Sequence, residues 1–197
     1  FYSQFQLLVA AIDKELKQKN NRFLSIASMS AGDGKSFVST EMVEHYLKQG
    51  KRILHIESEA ILDNVPAPAI INAILEERTD FSALQVQQMA MNLDKCYFQT
   101  DKQIYLNILE EDALNRFLQR CYEHYDIVIW ELFAPNMHLQ LFKTISKQAD
   151  FNLLTARSRF TPTTALSNTL RMLNDWEINH VGLLLNLLPK KYIKKTI

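Results

Sequence analysis

The feature that most constrains this chain is the segment S-M-S-A-G-D-G-K-S at residues 28–36. It follows a short apolar stretch at residues 23–27 and precedes residues 37–48, whose apolar positions recur at helical spacing. A strand, a glycine-rich turn that ends in Gly-Lys-Ser, and a helix are the context that a phosphate-binding P-loop requires. The alternative is an ordinary turn between a strand and a helix that happens to carry these residues.

Each part of this loop suits phosphate chemistry. Gly32 and Gly34 lack side chains, so backbone N–H groups can close around phosphate oxygens. Lys35 would reach the β- and γ-phosphates, and the Ser36 hydroxyl would bind Mg²⁺. The common pattern GxxxxGK[ST] would place its first glycine at Met29, so this loop is a shorter G-x-G-K-S variant. The nucleotide-binding residues predicted here are Ala31, Gly32, Asp33, Gly34, Lys35, Ser36 and Phe37.

The rest of the chain alternates between strand-like and helix-like segments. Strands are predicted at residues 23–27, 51–56, 95–99, 127–130, 151–155 and 181–186. Helices are predicted at residues 1–19, 37–49, 69–77, 81–92, 106–124, 139–148 and 163–176. Gly50 suits the position after a helix end, and Thr161 with Pro162 suits a helix start. This alternation predicts an α/β fold with a doubly wound, mainly parallel sheet flanked by helices.

Length and composition limit the functional classes. The 197 residues predict one domain over residues 1–197, and a net charge of zero gives no general attraction to nucleic acid. No apolar run approaches the ~20 residues that span a bilayer. Cys96 and Cys121 lie far apart without metal-ligand spacing, which favours reduced thiols in a cytosolic protein. Because the chain begins at Phe1 rather than Met, we expect it to be the cytoplasmic part of a longer protein.

Acidic residues follow two of the predicted core strands. Glu57 and Glu59 end the second strand, and Glu131 ends the strand at residues 127–130. Carboxyl ends of parallel strands meet at the edge of the sheet where ligands bind. Carboxylates there could bind Mg²⁺ or orient a nucleophile, although exposed strand ends are the simpler alternative. The pattern predicts catalytic roles for Lys35, Glu57, Glu59 and Glu131, and a metal site at Ser36, Glu57 and Glu131.

Four stretches carry a family resemblance. They read I-A-S-M-S-A-G-D-G-K-S at residues 26–36, G-K-R-I-L-H-I-E-S-E at 50–59, Y-D-I-V-I-W-E at 125–131 and V-G-L-L-L-N at 181–186. In this order they resemble the bacterial tyrosine kinases of exopolysaccharide and capsule export, which belong with the ParA- and MinD-like ATPases. Residues 149–150 and 155–166 add to the likeness, which covers nearly the whole chain.

The resemblance implies a ligand set and a setting. ATP or ADP and Mg²⁺ are the implied cofactors, with Lys35 and Ser36 on phosphate and metal and the three glutamates at the acidic positions. Asn186 would lie near the adenine, while a residue that caps a turn is the alternative for this position. The implied partner is a membrane-embedded polysaccharide co-polymerase or another export-complex protein, at the inner face of the cell membrane. Self-association is a further implication.

Several positions depart from the family pattern. All three expected aspartates are glutamates, and Ile61 stands where an arginine is expected. The arginine-containing assembly motif of the first helix aligns with Ser3, Gln6 and Val9, and Tyr192 alone represents the tyrosine-rich tail. We therefore expect a degenerate, pseudokinase-like domain that binds ATP, has weak or no kinase activity, and regulates polysaccharide biosynthesis or export.

Two alternatives to that expectation remain open. One is an active ATP- and Mg²⁺-dependent protein-tyrosine autokinase. The other is a ParA/MinD-type ATPase switch, which usually carries a second lysine near the start of the loop, where this chain has Ser30.

Overall fold

The computed structural model describes residues 2–16, 22–59, 87–99, 111–132, 134–135 and 138–186. Its strands are β1 (Arg22–Ser28), β2 (Ile53–Glu59), β3 (Gln87–Ala90), β4 (Leu93–Gln99), β5 (Ile127–Glu131), β6 (Phe151–Arg157) and β7 (Val181–Asn186). Its helices, numbered here in chain order, are α1 (Tyr2–Glu15), α2 (Lys35–Lys48), α3 (Glu111–His124), α4 (Leu139–Gln148) and α5 (Thr163–Asp175).

The strands form one sheet in the order β3-β4-β2-β5-β1-β6-β7. Every neighbouring pair is parallel except β3 and β4, which are antiparallel. The predicted doubly wound, mainly parallel α/β fold is therefore confirmed. This order places the carboxyl ends of β2, β5 and β1 side by side, so residues that end these strands come close to the loop after β1.

Helices cover both faces of the sheet. On one face α1 and α2 pack over apolar side chains such as Leu24 and Ile129, and on the other α3, α4 and α5 pack over neighbours such as Phe23 and Trp130. Alternate residues of a strand point to opposite faces, so a strand in this position must be apolar on both. Burying each large apolar side chain contributes about 1.5–3 kcal/mol, which makes these two cores the main stabilising element.

The predicted helix at residues 81–92 is wrong for its described part. Residues 87–90 form the edge strand β3, which pairs with β4 through a tight connection at residues 91–92. Gln, Met and Ala favour helices in isolation, but pairing with β4 supplies backbone hydrogen bonds that outweigh this preference. The predicted helix at residues 69–77 lies outside the described residues.

Two predicted helix ends have different outcomes. Gly50 follows α2 with φ 76° and donates its N–H to the Leu47 carbonyl at 2.9 Å, which confirms its predicted place after the helix. The start predicted for α5 at residue 163 is confirmed, but the predicted cap is wrong, because Pro162 rather than Thr161 occupies the cap position and the first helical residue is Thr163. The Thr161 side chain does not cap α5 and instead contacts the loop after β1.

Two further properties of the described residues bear on the sequence predictions. None of the described helices combines the length and apolar character needed to span a membrane. Cys96 and Cys121 are free, buried thiols, and burial raises the pKa of both well above the ordinary value.

Candidate functional site

The loop between β1 and α2 was predicted to bind phosphate, and its backbone has a conformation that suits this prediction. Gly32 and Gly34 adopt φ values of 82° and 92°, in the left-handed region that favours glycine. Gly34 caps the N-terminus of α2 without a side-chain hydrogen bond, so the first N–H groups of the helix face the loop. Such a helix start attracts anions through its unpaired N–H groups and its dipole.

Asp33 anchors this loop from within. Its side chain is buried, and its two oxygens accept the Ser30 N–H at 2.9 Å and the Thr161 hydroxyl at 2.7 Å. The Thr161 oxygen in turn accepts the Arg157 N–H at 2.7 Å. These bonds tie the loop to the end of β6 and to the residues that follow it. Thr161 lies 128 positions after Asp33 in the sequence.

Lys35 and Ser36, the first residues of α2, both contact the end of β5. The Lys35 ammonium donates to the Leu132 carbonyl at 2.7 Å and lies 3.2 Å from Glu131 Oε1. The Ser36 hydroxyl donates to the same Oε1 at 2.5 Å, and the Ser39 hydroxyl donates to Oε2 at 2.7 Å. Both oxygens of Glu131 are therefore held by groups of α2.

These contacts decide the charge of Glu131. Burial of this side chain by itself would raise its pKa, but the Lys35 charge and the hydroxyls of Ser36 and Ser39 outweigh that effect. The net result is a pKa below the ordinary value. Glu131 is thus an ionised carboxylate at neutral pH although only 5% of the residue is exposed.

Glu57 completes a pair of carboxylates. It lies directly opposite Glu131 in the register between β2 and β5. The Lys95 ammonium of β4 lies 2.6 Å from Glu57 Oε1 and supplies its counter-charge. The structure thus brings together Lys35, Ser36, Glu57 and Glu131 of the predicted site, while the side chain of Glu59 lies outside what it describes.

The end of β7 closes the other side of the loop. The Asn186 amide donates to the Asp33 carbonyl at 3.3 Å, and a Cβ added to Gly34 would overlap this amide. Ala31 and Phe37 are exposed beside the loop. Asn186 thus lies against the predicted phosphate cradle, and its proposed contact with adenine stays a prediction.

His55 was missed by the sequence reasoning. It lies in the middle of the apolar strand β2, two residues before Glu57 and therefore on the same face. Its Nδ1 lies 3.8 Å from Glu57 Oε1, and its Nε2 lies 3.8 Å from Glu131 Oε2. Burial lowers the pKa of His55 and outweighs the carboxylates, which raise it. The sequence does contain a signal that could have identified His55. It is a polar residue inside an apolar strand, two positions before Glu57.

The residues at this edge of the sheet offer suitable groups to two kinds of ligand, an anion and a metal ion. The helix start, two left-handed glycines and Lys35 offer positive charge and backbone donors to an anion such as a phosphate chain. Ser36, Glu57 and Glu131 offer hard oxygen atoms of the kind that Mg²⁺ prefers.

No protein-family model matches the chain, and no curated protein does. Solved structures share its fold. The kinase domain of the Escherichia coli tyrosine kinase ETK matches with a TM-score of 0.76 and 17% identity, over 92% of this chain and 73% of that chain. A ParA family ATPase from Chlorobium tepidum matches with a TM-score of 0.65 and 21% identity, over 84% and 74%.

A third similar structure was solved with ligands. Cobyrinic acid a,c-diamide synthase from Mycobacterium smegmatis, with a bound ATP analog and magnesium, matches with a TM-score of 0.66 and 16% identity, over 84% of this chain and 72% of that chain. The chain therefore has the P-loop fold that bacterial tyrosine kinase domains share with ParA-like ATPases. The resemblance predicted from the sequence is confirmed at the level of the fold.

Proposed function

We propose that this chain is a tyrosine-kinase-like P-loop domain that binds ATP or ADP with Mg²⁺ and has weak or no kinase activity. The observation that carries the proposal is the loop itself. Two left-handed glycines and the start of α2 shape the loop, and Lys35 and Ser36 follow it directly and contact Glu131. This combination suits a phosphate chain.

Mg²⁺ fits the same edge. Ser36, Glu57 and Glu131 would hold it, directly or through water, and their oxygens are the ligand type that this ion requires. Bound Mg²⁺ would neutralise negative charge on the phosphates.

The length of the glutamate side chains is the reason that we expect weak kinase activity. The Glu131 carboxylate extends far enough to contact Lys35 and Ser36 at once, and the Leu132 carbonyl accepts a second contact from Lys35. Phosphate must displace these contacts before Lys35 can bind it. A glutamate also places its charge more than an ångström beyond an aspartate, and catalytic geometry tolerates displacements of that size poorly.

The biological role that we propose is regulation of exopolysaccharide or capsule biosynthesis or export. The domain would act at the inner face of the cell membrane, docked on a membrane-embedded polysaccharide co-polymerase or another export-complex protein. Support comes from the sequence resemblance and the shared fold. Val9, one of the positions that align with the assembly motif of the family, is buried in the core, which argues against family-style self-association there. Deleting the gene should change polymer yield or length, and unchanged polymer would overturn this role.

Nucleotide binding is tested by titrating ATP and ADP, each with Mg²⁺, against the wild type, Lys35→Ala and Lys48→Ala. Lys48 is the matched control, because it is an exposed lysine of the same helix paired with Glu44. We expect binding by the wild type and the control, and a loss of more than about tenfold in Lys35→Ala. Absence of binding by the wild type would overturn the proposal.

A second candidate function is an active protein-tyrosine autokinase. The lowered pKa of Glu131 favours it, because an ionised carboxylate beside Ser36 is available at neutral pH. The same samples should then yield phosphotyrosine and ADP in the wild type but not in Lys35→Ala. ADP without phosphotyrosine would instead indicate an ATPase switch.

A further inference from the structure

His55 occupies an unusual position between two carboxylates. Its two ring nitrogens face Glu57 and Glu131, each at 3.8 Å. One ligand atom from each of the three residues lies within 4.8 Å of the others. The three side chains point to the same face of the sheet, beneath the start of α2.

The imidazole lacks a partner for one of its polar atoms. The side chain of His55 is only 6% exposed, and within the described part of the chain its Nε2 forms no hydrogen bond. A buried polar atom without a partner is costly and uncommon in folded proteins. This nitrogen points toward Glu131 Oε2, where a bound cation would satisfy it.

We propose that His55, Glu57 and Glu131 bind a divalent transition-metal ion of the zinc or manganese class. Ligand distances of about 2.0–2.2 Å place donor atoms roughly 3–4 Å apart around such an ion. The ligand atoms now lie within 4.8 Å of one another, so the side chains must move closer together to meet that geometry. One imidazole nitrogen and two carboxylates form a ligand set that suits these metals, whereas Mg²⁺ prefers oxygen alone.

This site shares Glu57 and Glu131 with the Mg²⁺ site proposed above, but it uses a different oxygen of Glu131 and has His55 in place of Ser36. Glu131 Oε1 faces Lys35 and Ser36 on the loop side, and Oε2 faces Ser39 and His55 on the sheet side. The transition metal would take Oε2, and the Ser39 hydroxyl would keep that oxygen oriented.

Lys95 competes with the metal. Its ammonium lies 2.6 Å from Glu57 Oε1 and neutralises that carboxylate in the metal-free protein. The Lys95 side chain is 22% exposed, so it can turn toward solvent when an ion replaces it. Removing this charge should therefore tighten metal binding, which is the opposite of the effect expected for a lost ligand.

The test is a titration of the chelator-treated, nucleotide-free chain with Zn²⁺ or Mn²⁺ alone, followed by calorimetry. Co²⁺ absorption serves as an independent reading of nitrogen ligation. We expect one ion per chain, a loss of more than about tenfold in His55→Leu and in Glu57→Gln, and tighter binding in Lys95→Gln. Excess Mg²⁺ should not displace the ion.

The matched control is His180→Ala, which removes an exposed histidine that also lies beside a carboxylate, 3.2 Å from Glu15. This variant should bind as the wild type does. If His55→Leu fails to fold by circular dichroism, the opposite shifts in Glu57→Gln and Lys95→Gln still decide the matter. No stoichiometric binding, or unchanged binding in folded His55→Leu, would overturn the proposal. Because the titration contains no nucleotide, it measures metal binding independently of ATP binding.

Discussion

Glu57 and Glu131 lie directly opposite each other in the parallel strands β2 and β5, and each carboxylate contacts its own lysine. Like charges at opposed positions repel, so this pair needs compensation. Lys95 supplies it from β4 and Lys35 from α2, at 2.6 Å and 3.2 Å. These two carboxylates and two ammonium groups come from four different elements of the fold.

Removal of Lys95 should destabilise the fold. We expect Lys95→Gln to lower the free energy of unfolding by about 1 kcal/mol, because Glu57 loses its counter-charge beside Glu131. Urea denaturation measures the difference. Lys48→Ala is the control, since its pair with Glu44 is largely exposed and should contribute less than about 0.5 kcal/mol. Equal losses in the two variants would contradict a larger contribution from the partly buried pair of Lys95 and Glu57.

Shortening the two glutamates should increase turnover. If their extra methylene is what weakens the chemistry, Glu57→Asp combined with Glu131→Asp should raise Mg²⁺-dependent ADP release by roughly 10- to 100-fold. Steady-state ADP production in the wild type and the double variant measures this. Lys35→Ala in the double variant is the control and should abolish the gain. Turnover no higher than that of the wild type would show that the glutamates are not the limiting feature.

An added methyl group at Gly34 should damage the loop. Gly34 has φ 92°, and a Cβ there would overlap the Asn186 amide. We expect Gly34→Ala to cost about 1–3 kcal/mol of stability and to abolish nucleotide binding. Gly50→Ala is the matched control, because Gly50 also has a positive φ but nothing lies within 4 Å of an added Cβ.

A double variant separates the steric overlap between an added Cβ at Gly34 and Asn186 from the backbone strain at Gly34. In an Asn186→Ala background, Gly34→Ala should cost less than in the wild type, since the amide that the methyl group meets is gone. Additive effects of the two substitutions in thermal or urea denaturation would argue that only the backbone conformation matters.

Thr161 should stabilise the loop through one hydroxyl. Thr161→Val keeps the shape but leaves a buried oxygen of Asp33 and the Arg157 N–H without their contacts, at a cost of about 1–3 kcal/mol. Thr161→Ser keeps the hydroxyl and should cost less. Urea denaturation and ATP titration of both variants measure the effect, and equal losses would indicate that the methyl group of Thr161 is what matters.

Much of the fold was predictable because its signals are local. The apolar run at residues 23–27, the two glycines of the loop and the helical spacing after them identify β1, the cradle and α2. Alternation of strands and helices implied a parallel sheet, and a parallel sheet brings the ends of its strands to one edge. That is why the proximity of Glu57 and Glu131 could be predicted from the sequence.

The failures have equally physical causes. Residues 87–90 form a strand because β4 pairs with them, and their own helix preference carries no information about that partner. Thr161 next to Pro162 looked like a local helix cap, but its hydroxyl bonds to Asp33, far away in sequence.

The sequence by itself determined the P-loop, the fold class and the acidic ends of the strands, because each depends on residue types at short spacing. Only the tertiary structure decided that Glu131 bonds to Lys35, Ser36 and Ser39, and that His55 lies between two carboxylates. Those relationships depend on the strand order β4-β2-β5-β1 and on the packing of α2 over it. Distances of a few ångströms between residues far apart in the chain arise only when the whole sheet has formed.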